Sequence, residues 1–145
     1  MDGSLVDFTM WGPGIVLGLG CLGSSIGCAI AGMASHGVMS HVEEGHGKFI
    51  GLAALPSSQA IYAFVLMILM SNNIRAGSLS PFSAIGIGLP VGLALMFCSI
   101  YQGKAIATAL QAAARQPAIF GKCSAAAGII ESFALFAFVF ALLLI

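Results

Sequence analysis

A single carboxylate lies inside one of the most apolar segments of this sequence. Glu131 is the one charged residue of the segment GIIESFALFAFVFALLLI, residues 128–145. If this segment forms a membrane-spanning helix, Glu131 lies deep in the hydrocarbon layer, because an α-helix rises about 1.5 Å per residue. A charge at that depth costs roughly 2.5–3.5 kcal/mol on insertion scales, so such residues commonly belong to ion or proton pathways. The segment therefore predicts an ion-carrying carboxyl group.

Other apolar segments supply polar side chains that could share a cation with Glu131. They are a hydroxyl, two amides and a phenol: Ser58, Gln59, Gln102 and Tyr62. Three of the four lie in LPSSQAIY (residues 55–62), where Pro56 lacks an N–H and clashes with the carbonyl one turn earlier, which frees backbone carbonyl oxygens. A carboxylate, two amide oxygens, a hydroxyl and a carbonyl form a suitable cage for a small hard cation, and these groups can also satisfy one another.

The composition places the chain in a membrane. Of its 145 residues, 59% are hydrophobic and 7% are charged, whereas a soluble domain carries about 25% charged residues. Four apolar stretches are long enough to cross a bilayer, at about residues 13–39, 48–72, 82–113 and 119–145. These features predict an all-α integral membrane protein with four transmembrane helices. The short loops leave no room for a soluble domain, so we expect no organic cofactor, and the zero net charge gives no support for nucleic-acid binding.

The distribution of basic residues predicts the orientation of the chain. If the four stretches are numbered as helices 1 to 4, the loops that join helix 1 to helix 2 and helix 3 to helix 4, with their flanks, hold four of the five basic residues: Lys48, Lys104, Arg115 and Lys122. Because cytoplasmic loops are enriched in Lys and Arg, both hairpin loops are predicted to be cytoplasmic, in a bacterial-type inner membrane. The N-terminus carries Asp2 and Asp7 and no basic residue before the first apolar stretch. We therefore expect that stretch to be a retained membrane span and not a secretory signal.

The sequence repeats itself at an offset of 74 residues without a gap. Matched pairs include Gly12 with Gly86, Gly18 with Gly92, Lys48 with Lys122, and Phe64 with Phe138. The repeat predicts two tandem-duplicated helical hairpins, residues 1–74 and 75–145, in a parallel arrangement. Helices 1 and 3 are rich in small residues that permit close packing, and helices 2 and 4 are bulky, which suits a ring with helices 1 and 3 inside. Glu131 matches Ser57, so one hairpin carries the carboxylate and the other has lost it.

These features together resemble the membrane rotor proteolipid, the K or c subunit, of V-type (V/A-type) ATPases. The resemblance covers nearly the whole chain and is carried by LPSSQAIYAF, SIYQGKA (99–105) and IESFALFAF (130–138). In sodium-carrying members, the cation is held by a Leu carbonyl, a Thr hydroxyl, two Gln side chains and a Glu that a Tyr supports. The resemblance therefore implies a Na⁺ site formed by the Leu55 backbone carbonyl, Ser58, Gln59, Gln102 and Glu131, with Tyr62 supporting Glu131. Ser58 replaces the family's Thr and Ser57 its preceding Gly; serine keeps the hydroxyl but is less constrained at χ1.

The resemblance also implies how the protein works. Copies of the chain would form a homo-oligomeric ring in the lipid bilayer that turns against a stator subunit, which supplies an arginine and two half-channels. Central-stalk subunits would dock on the cytoplasmic loops. The chain itself would be non-catalytic and would translocate ions in a complex coupled to ATP hydrolysis or synthesis. Glu131 would carry Na⁺ or H⁺. The polar cage favours Na⁺, because a proton needs only Glu131 and one acceptor.

Two other interpretations are compatible with the sequence. In the first, Glu131 is the exchange site of a small proton-coupled secondary transporter of the drug type, although such a carrier needs neither LPSSQ nor a glutamine in helix 3. In the second, loop residues bind a metal: His36, His41, His46, Glu43 and Glu44. A spacing of five residues matches no helix face, so contact of this loop with a stalk subunit is favoured.

Overall fold

The computed structural model describes residues 8–145, so Asp2 and Asp7 lie outside the described residues. Within that part, five α-helices and two short 3-10 turns form four long spans. In chain order the spans are α1 (Trp11–Met39); α2 (His46–Ala53), a 3-10 turn (Leu55–Ser57) and α3 (Ser58–Ala76); α4 (Pro81–Arg115); and a 3-10 turn (Pro117–Ile119) followed by α5 (Phe120–Leu142). All four are long and apolar enough to cross a membrane, which confirms the predicted fold class.

Local signals in the sequence explain where several helices begin and end. The Ser80 side chain accepts a hydrogen bond from the backbone N–H of Ser83 at 3.1 Å, and Pro81 occupies the first turn, a common helix start. The end of α3 is marked by Gly77, whose φ of 78° places it in the left-handed region that glycine adopts without a Cβ clash. Basic residues lie in the last turns of α3 and α4, Arg75 and Arg115, where they complement the helix dipole.

Two parallel helices, α1 and α4, form the centre of the bundle and pack backbone against backbone. A Cβ atom added to Gly12, Gly23 or Gly27 of α1 would clash with the backbone of α4 at Ala84, Met96 and Ser99, respectively. This close approach is what small residues allow between membrane helices. The parallel packing brings both hairpin connections, around residues 40–45 and 116–119, to one end of the bundle. We call this the hairpin end.

Not every glycine takes part in this contact. A Cβ on Gly14 or Gly18 would have no heavy atom within 4 Å, so these glycines face away from the other helices of the chain. The bulky helices pack around the central pair. On α5 the aromatic rings of Phe133, Phe136 and Phe140 are exposed, as expected for a surface that meets lipid.

Candidate ion-binding site

Two neighbouring helices each donate one hydrogen bond to the carboxylate of Glu131. The Tyr62 hydroxyl, from α3, donates to Glu131 Oε1 at 3.0 Å. The amide Nε2 of Gln102, from α4, donates to Glu131 Oε2 at 3.1 Å. Each carboxylate oxygen therefore has its own donor, an arrangement suited to an ionised group inside a membrane. The ring of Tyr62 also stacks on Phe138 with centroids 5.5 Å apart, which fixes the direction of its hydroxyl.

A pair of fully buried glutamines lies behind the carboxylate. Gln59 Nε2 donates to Gln102 Oε1 at 3.2 Å, and Gln102 Nε2 donates a second bond to the backbone carbonyl of Ala127 at 3.1 Å. One atom of the pair has no hydrogen-bond partner among the described residues, the buried oxygen Oε1 of Gln59. Leaving a buried acceptor unpaired costs about 1–3 kcal/mol. A cation bound by this oxygen would remove that cost, so the amide pair fits a cation ligand set.

The turn at Pro56 holds the other two predicted groups, the Leu55 carbonyl and the Ser58 hydroxyl. At this point a 3-10 turn interrupts the second span between α2 and α3, and the Ser58 hydroxyl donates to the Leu55 carbonyl at 3.0 Å. Ser58 and Tyr62 are one turn apart on α3 and therefore share a face of the helix. Four of the predicted residues thus form one hydrogen-bonded network contributed by three helices: Gln59, Gln102, Glu131 and Tyr62. Leu55 and Ser58 are hydrogen-bonded to each other and precede Gln59 in the chain.

Two serines that the sequence reasoning gave no role in the site hold the turn in place. The Ser99 hydroxyl, from α4, donates to the Pro56 carbonyl at 2.7 Å. The Ser24 hydroxyl, from α1, accepts the backbone N–H of Ala60 at 2.9 Å. Both serines are buried, so they supply partners to backbone groups near the interrupted helix that cannot reach water. Their signal in the sequence is a hydroxyl among the glycines of α1 and α4.

Ser57 and His46, which the sequence analysis also considered, make their hydrogen-bond contacts within their own segments. Ser57, the repeat's counterpart of Glu131, is exposed, and its hydroxyl donates to the Ala54 carbonyl of its own turn at 2.7 Å. In the loop, the ring Nε2 of His46 lies 2.6 Å from the Val42 carbonyl oxygen. No group of three or more His, Cys, Asp or Glu side chains within residues 8–145 is placed to hold a metal ion, so the structure does not support the loop metal site.

Comparison with known proteins agrees with the duplicated architecture. The family model for the C subunit of ATP synthase matches the chain twice, at residues 11–70 and 85–144, and the two matches are offset by the 74 residues of the internal repeat. The A-type ATP synthase subunit K of Methanocaldococcus jannaschii is 34% identical over 134 residues, which are 92% of this chain and 60% of that protein. The V-type sodium ATPase subunit K of Enterococcus hirae is 29% identical over 126 residues, which are 86% of this chain and 81% of that protein.

These matches bear on the choice between a rotor subunit and a small secondary transporter. The chain spans 60% of the length of the archaeal relative, so similarity to that protein is similarity to a part of it. Both relatives are named as subunits of an ATPase or ATP synthase, and the comparisons give no support to a small secondary transporter.

Proposed function

Because this chain belongs to the family of ATP synthase C subunits, we propose that it is a rotor-ring subunit in the membrane sector of a V-type ATPase. Identical copies form a closed ring, and Glu131 of each copy carries one ion across the membrane as the ring turns. The chain is non-catalytic, and the ATP chemistry takes place on partner subunits. The observation that carries this proposal is the position of Glu131, in the middle of an apolar helix and hydrogen-bonded from two others.

Charge neutralisation links ion transfer to rotation. One carboxylate and one monovalent cation form a neutral pair, which can pass the lipid at far lower cost than the carboxylate alone. A ring whose sites are empty therefore cannot turn through lipid, and rotation requires a bound ion. A stator subunit supplies the half-channels where the ion enters and leaves, and its arginine pairs with the emptied Glu131.

We propose Na⁺ as the transported ion. A proton carrier would not need the additional oxygen groups found near Glu131. They are the unpaired oxygen of Gln59, the amide oxygen of Gln102, the Ser58 hydroxyl and the Leu55 carbonyl. The Enterococcus hirae relative is named a sodium ATPase subunit, which agrees with this assignment. Transport of H⁺ on Glu131 is the competing possibility, and it differs from Na⁺ transport in whether sodium protects the carboxyl group from chemical labelling.

The hairpin end is where we place the cytoplasm and the central stalk. Three basic residues, Lys48, Arg115 and Lys122, are exposed at this end, as the positive-inside rule requires of cytoplasmic loops. Glu43 and Glu44 are exposed in the same region, so the hairpin end offers charges of both signs to a stalk subunit. The membrane would be a bacterial-type inner membrane.

The mass of the assembly after gentle extraction, together with its bound sodium, tests the proposal. We expect a closed ring that holds one sodium ion per subunit, and a ring of Glu131→Gln that holds none. A wild-type chain that stays monomeric both in mild detergent and in lipid would contradict the rotor function.

A further inference from the structure

The internal repeat predicts which residues neighbouring copies of the chain use to contact each other. Within the chain, the first hairpin packs on the second through α1 and α4. In a closed ring, the second hairpin meets the first hairpin of the next copy in the same orientation, which is a head-to-tail contact. Because the repeat has an offset of 74 residues, each α1 residue is replaced in this new contact by the α4 residue 74 positions later, and each α4 residue by the α1 residue 74 positions earlier. This step rests on the proposed ring.

The contact face of α1 and its repeat counterpart on α4 differ in exposure. Four residues of α1 that lie against α4 are buried: Gly12, Val16, Gly23 and Gly27. Their counterparts on α4 are all exposed: Gly86, Pro90, Phe97 and Tyr101. This face of α4 is therefore uncovered in the single chain, although its counterpart on α1 is covered by another helix.

The reverse comparison gives the same result for α1. Five residues of α4 that lie against α1 are buried: Ala84, Gly88, Gly92, Ser99 and Gly103. Their counterparts in and just before α1 are all exposed: Met10, Gly14, Gly18, Ser25 and Ala29. An exposed face made mostly of small residues is suited to the close approach of another helix. The two uncovered faces are thus complementary halves of one contact, and the occupant of each is a second copy of this chain.

The contact between copies differs from the contact within the chain in the size of its side chains. Within the chain, a Cβ on Gly27 would clash with the backbone carbonyl of Ser99. The repeat counterparts of Gly23 and Gly27 are Phe97 and Tyr101. Aromatic rings do not fit at the separation that α1 and α4 have within the chain, so between copies the two helices lie further apart, at the roughly 8–10 Å that ordinary side chains give. The central helices of the ring are therefore spaced alternately, close within a chain and wider between chains.

Tyr101 carries a polar group that needs this contact. It precedes Gln102 and so lies at the depth of the ion site, where a phenol hydroxyl requires a hydrogen-bond partner. The Lys104 ammonium lies 5.0 Å from the centroid of the Tyr101 ring, and the hydroxyl has no hydrogen-bond partner within residues 8–145. The partner must therefore come from outside the described chain.

Ser25 of the next copy is a suitable acceptor. Because Gly27 contacts Ser99 within the chain, their repeat counterparts Tyr101 and Ser25 meet between copies. The Ser25 hydroxyl donates its hydrogen to the Leu22 carbonyl of its own helix at 2.9 Å. Its oxygen keeps lone pairs that can accept a hydrogen bond from the phenol.

We propose that α4 of each copy packs on α1 of the next through these two faces, with Phe97 and Tyr101 as spacers and a hydrogen bond from the Tyr101 hydroxyl to Ser25. The bond fixes the axial position of neighbouring copies, because a shift of one helical turn would leave the phenol unpaired in the membrane. Since Tyr101 adjoins Gln102, neighbouring copies are joined at the depth of their ion sites.

Disulfide formation between copies tests the contact. In a chain whose four native cysteines are replaced by serine, Ser25→Cys combined with Tyr101→Cys should give, on oxidation, a ladder of covalent oligomers in denaturing gels. Either substitution alone should give no cross-link, because the contact is head-to-tail; a cross-link in a single variant would show that like helices meet and would overturn the proposal. Ser25→Cys combined with Leu135→Cys, on an exposed face of α5, is the control for random collision and should also give no ladder.

The ring mass, read by native mass spectrometry on the same samples, separates this proposal from the rotor function. An intact ring that gives no ladder with Ser25→Cys and Tyr101→Cys, or an equal ladder with the control pair, would overturn the contact and leave the rotor function standing. A wild-type chain that forms no ring would contradict the rotor function itself.

A second measurement tests the hydrogen bond without altering the spacing of the helices. Tyr101→Phe keeps the aromatic ring, and Ser25→Ala keeps a small side chain. Each should lower the midpoint temperature at which the ring dissociates, and the double variant should lower it no further than the stronger single variant. Ser132→Ala, which removes a hydroxyl that bonds within its own helix, is the control and should leave the midpoint unchanged. Additive shifts in the double variant would overturn the hydrogen bond between Tyr101 and Ser25.

Discussion

A Gln59→Leu substitution is expected to weaken sodium binding while leaving the fold and the ring intact. In the ion-free chain, leucine removes the bond from Gln59 Nε2 to Gln102 Oε1 and so leaves one buried acceptor unpaired. It also removes the Gln59 oxygen, which is itself buried and unpaired. The two changes are each worth about 1–3 kcal/mol and have opposite signs, so the net effect on stability is close to zero.

The effect on sodium has no such compensation. Leucine deletes one amide oxygen from the ligand set, and the loss of a buried polar partner at about 1–3 kcal/mol corresponds to an affinity about 5- to 150-fold weaker. Gln102→Leu provides the contrast: it leaves Gln59 Nε2 and Glu131 Oε2 without their side-chain partner and also removes the side-chain bond to the Ala127 carbonyl. That variant should lose both stability and sodium affinity. Gln111→Leu, an exposed position on α4, is the control for removing a glutamine.

Labelling of Glu131 by a hydrophobic carbodiimide provides the assay. The reagent reacts with the protonated carboxyl group, and bound sodium displaces that proton, so sodium should protect Glu131. Protection should become stronger as pH rises, because sodium then competes with fewer protons. The sodium concentration for half-protection should rise by the stated factor in Gln59→Leu. An unchanged half-protection concentration would show that Gln59 is not a ligand, and labelling that ignores sodium at every pH would reverse the ion assignment in favour of H⁺.

Other contacts of the chain give three further expectations. Glu131→Gln should abolish ion transport in reconstituted vesicles and leave the ring mass unchanged, whereas Ser57→Ala should be tolerated because that hydroxyl bonds only within its own turn; the opposite pattern would refute the assignment of the repeat. Gly27→Leu should prevent the chain from folding, because it clashes with the backbone of α4, while Gly18→Leu should leave a folded chain that does not form rings; circular dichroism and native mass would report the two effects. Ser99→Ala should cost about 1–3 kcal/mol by unpairing the carbonyl of the interrupted turn, measured as a lower melting temperature, and an unchanged melting temperature would show that water replaces the hydroxyl.

The polar residues of the site and the existence of four spans could be predicted from the sequence, because both depend on composition along a single helix. Glutamine, glutamate and tyrosine in apolar segments must find partners, so Glu131, Gln102 and Tyr62 could be assigned to one network before the structure. The sequence could not tell which glycines face the neighbouring helix. Lipid is as apolar as the protein interior, so hydrophobicity does not separate Gly27, which contacts α4, from Gly18, which does not.

The roles of Ser24 and Ser99 were also beyond the sequence. Each lies on a different helix from the backbone group that it satisfies, so its role depends on the rotation and axial position of α1 and α4 relative to α3. The same holds for the unpaired oxygen of Gln59. The angle between α3 and α4, and not the residue types, decides which of the four amide atoms of Gln59 and Gln102 is left without a partner.

The exposed Ser57, standing where the repeat has a carboxylate, sets the gearing of the proposed motor. Each ion then moves the ring past four helices instead of two, so a ring with a given number of helices passes half as many ions per turn as one with a carboxylate in every hairpin. The same energy from ATP is divided among fewer ions, and each ion can be driven against a steeper gradient, at roughly 2.3 kcal/mol per 100 mV for a single charge. The absence of a carboxylate at Ser57 thus favours ATP-driven pumping against a steep ion gradient over ATP synthesis driven by a shallow one.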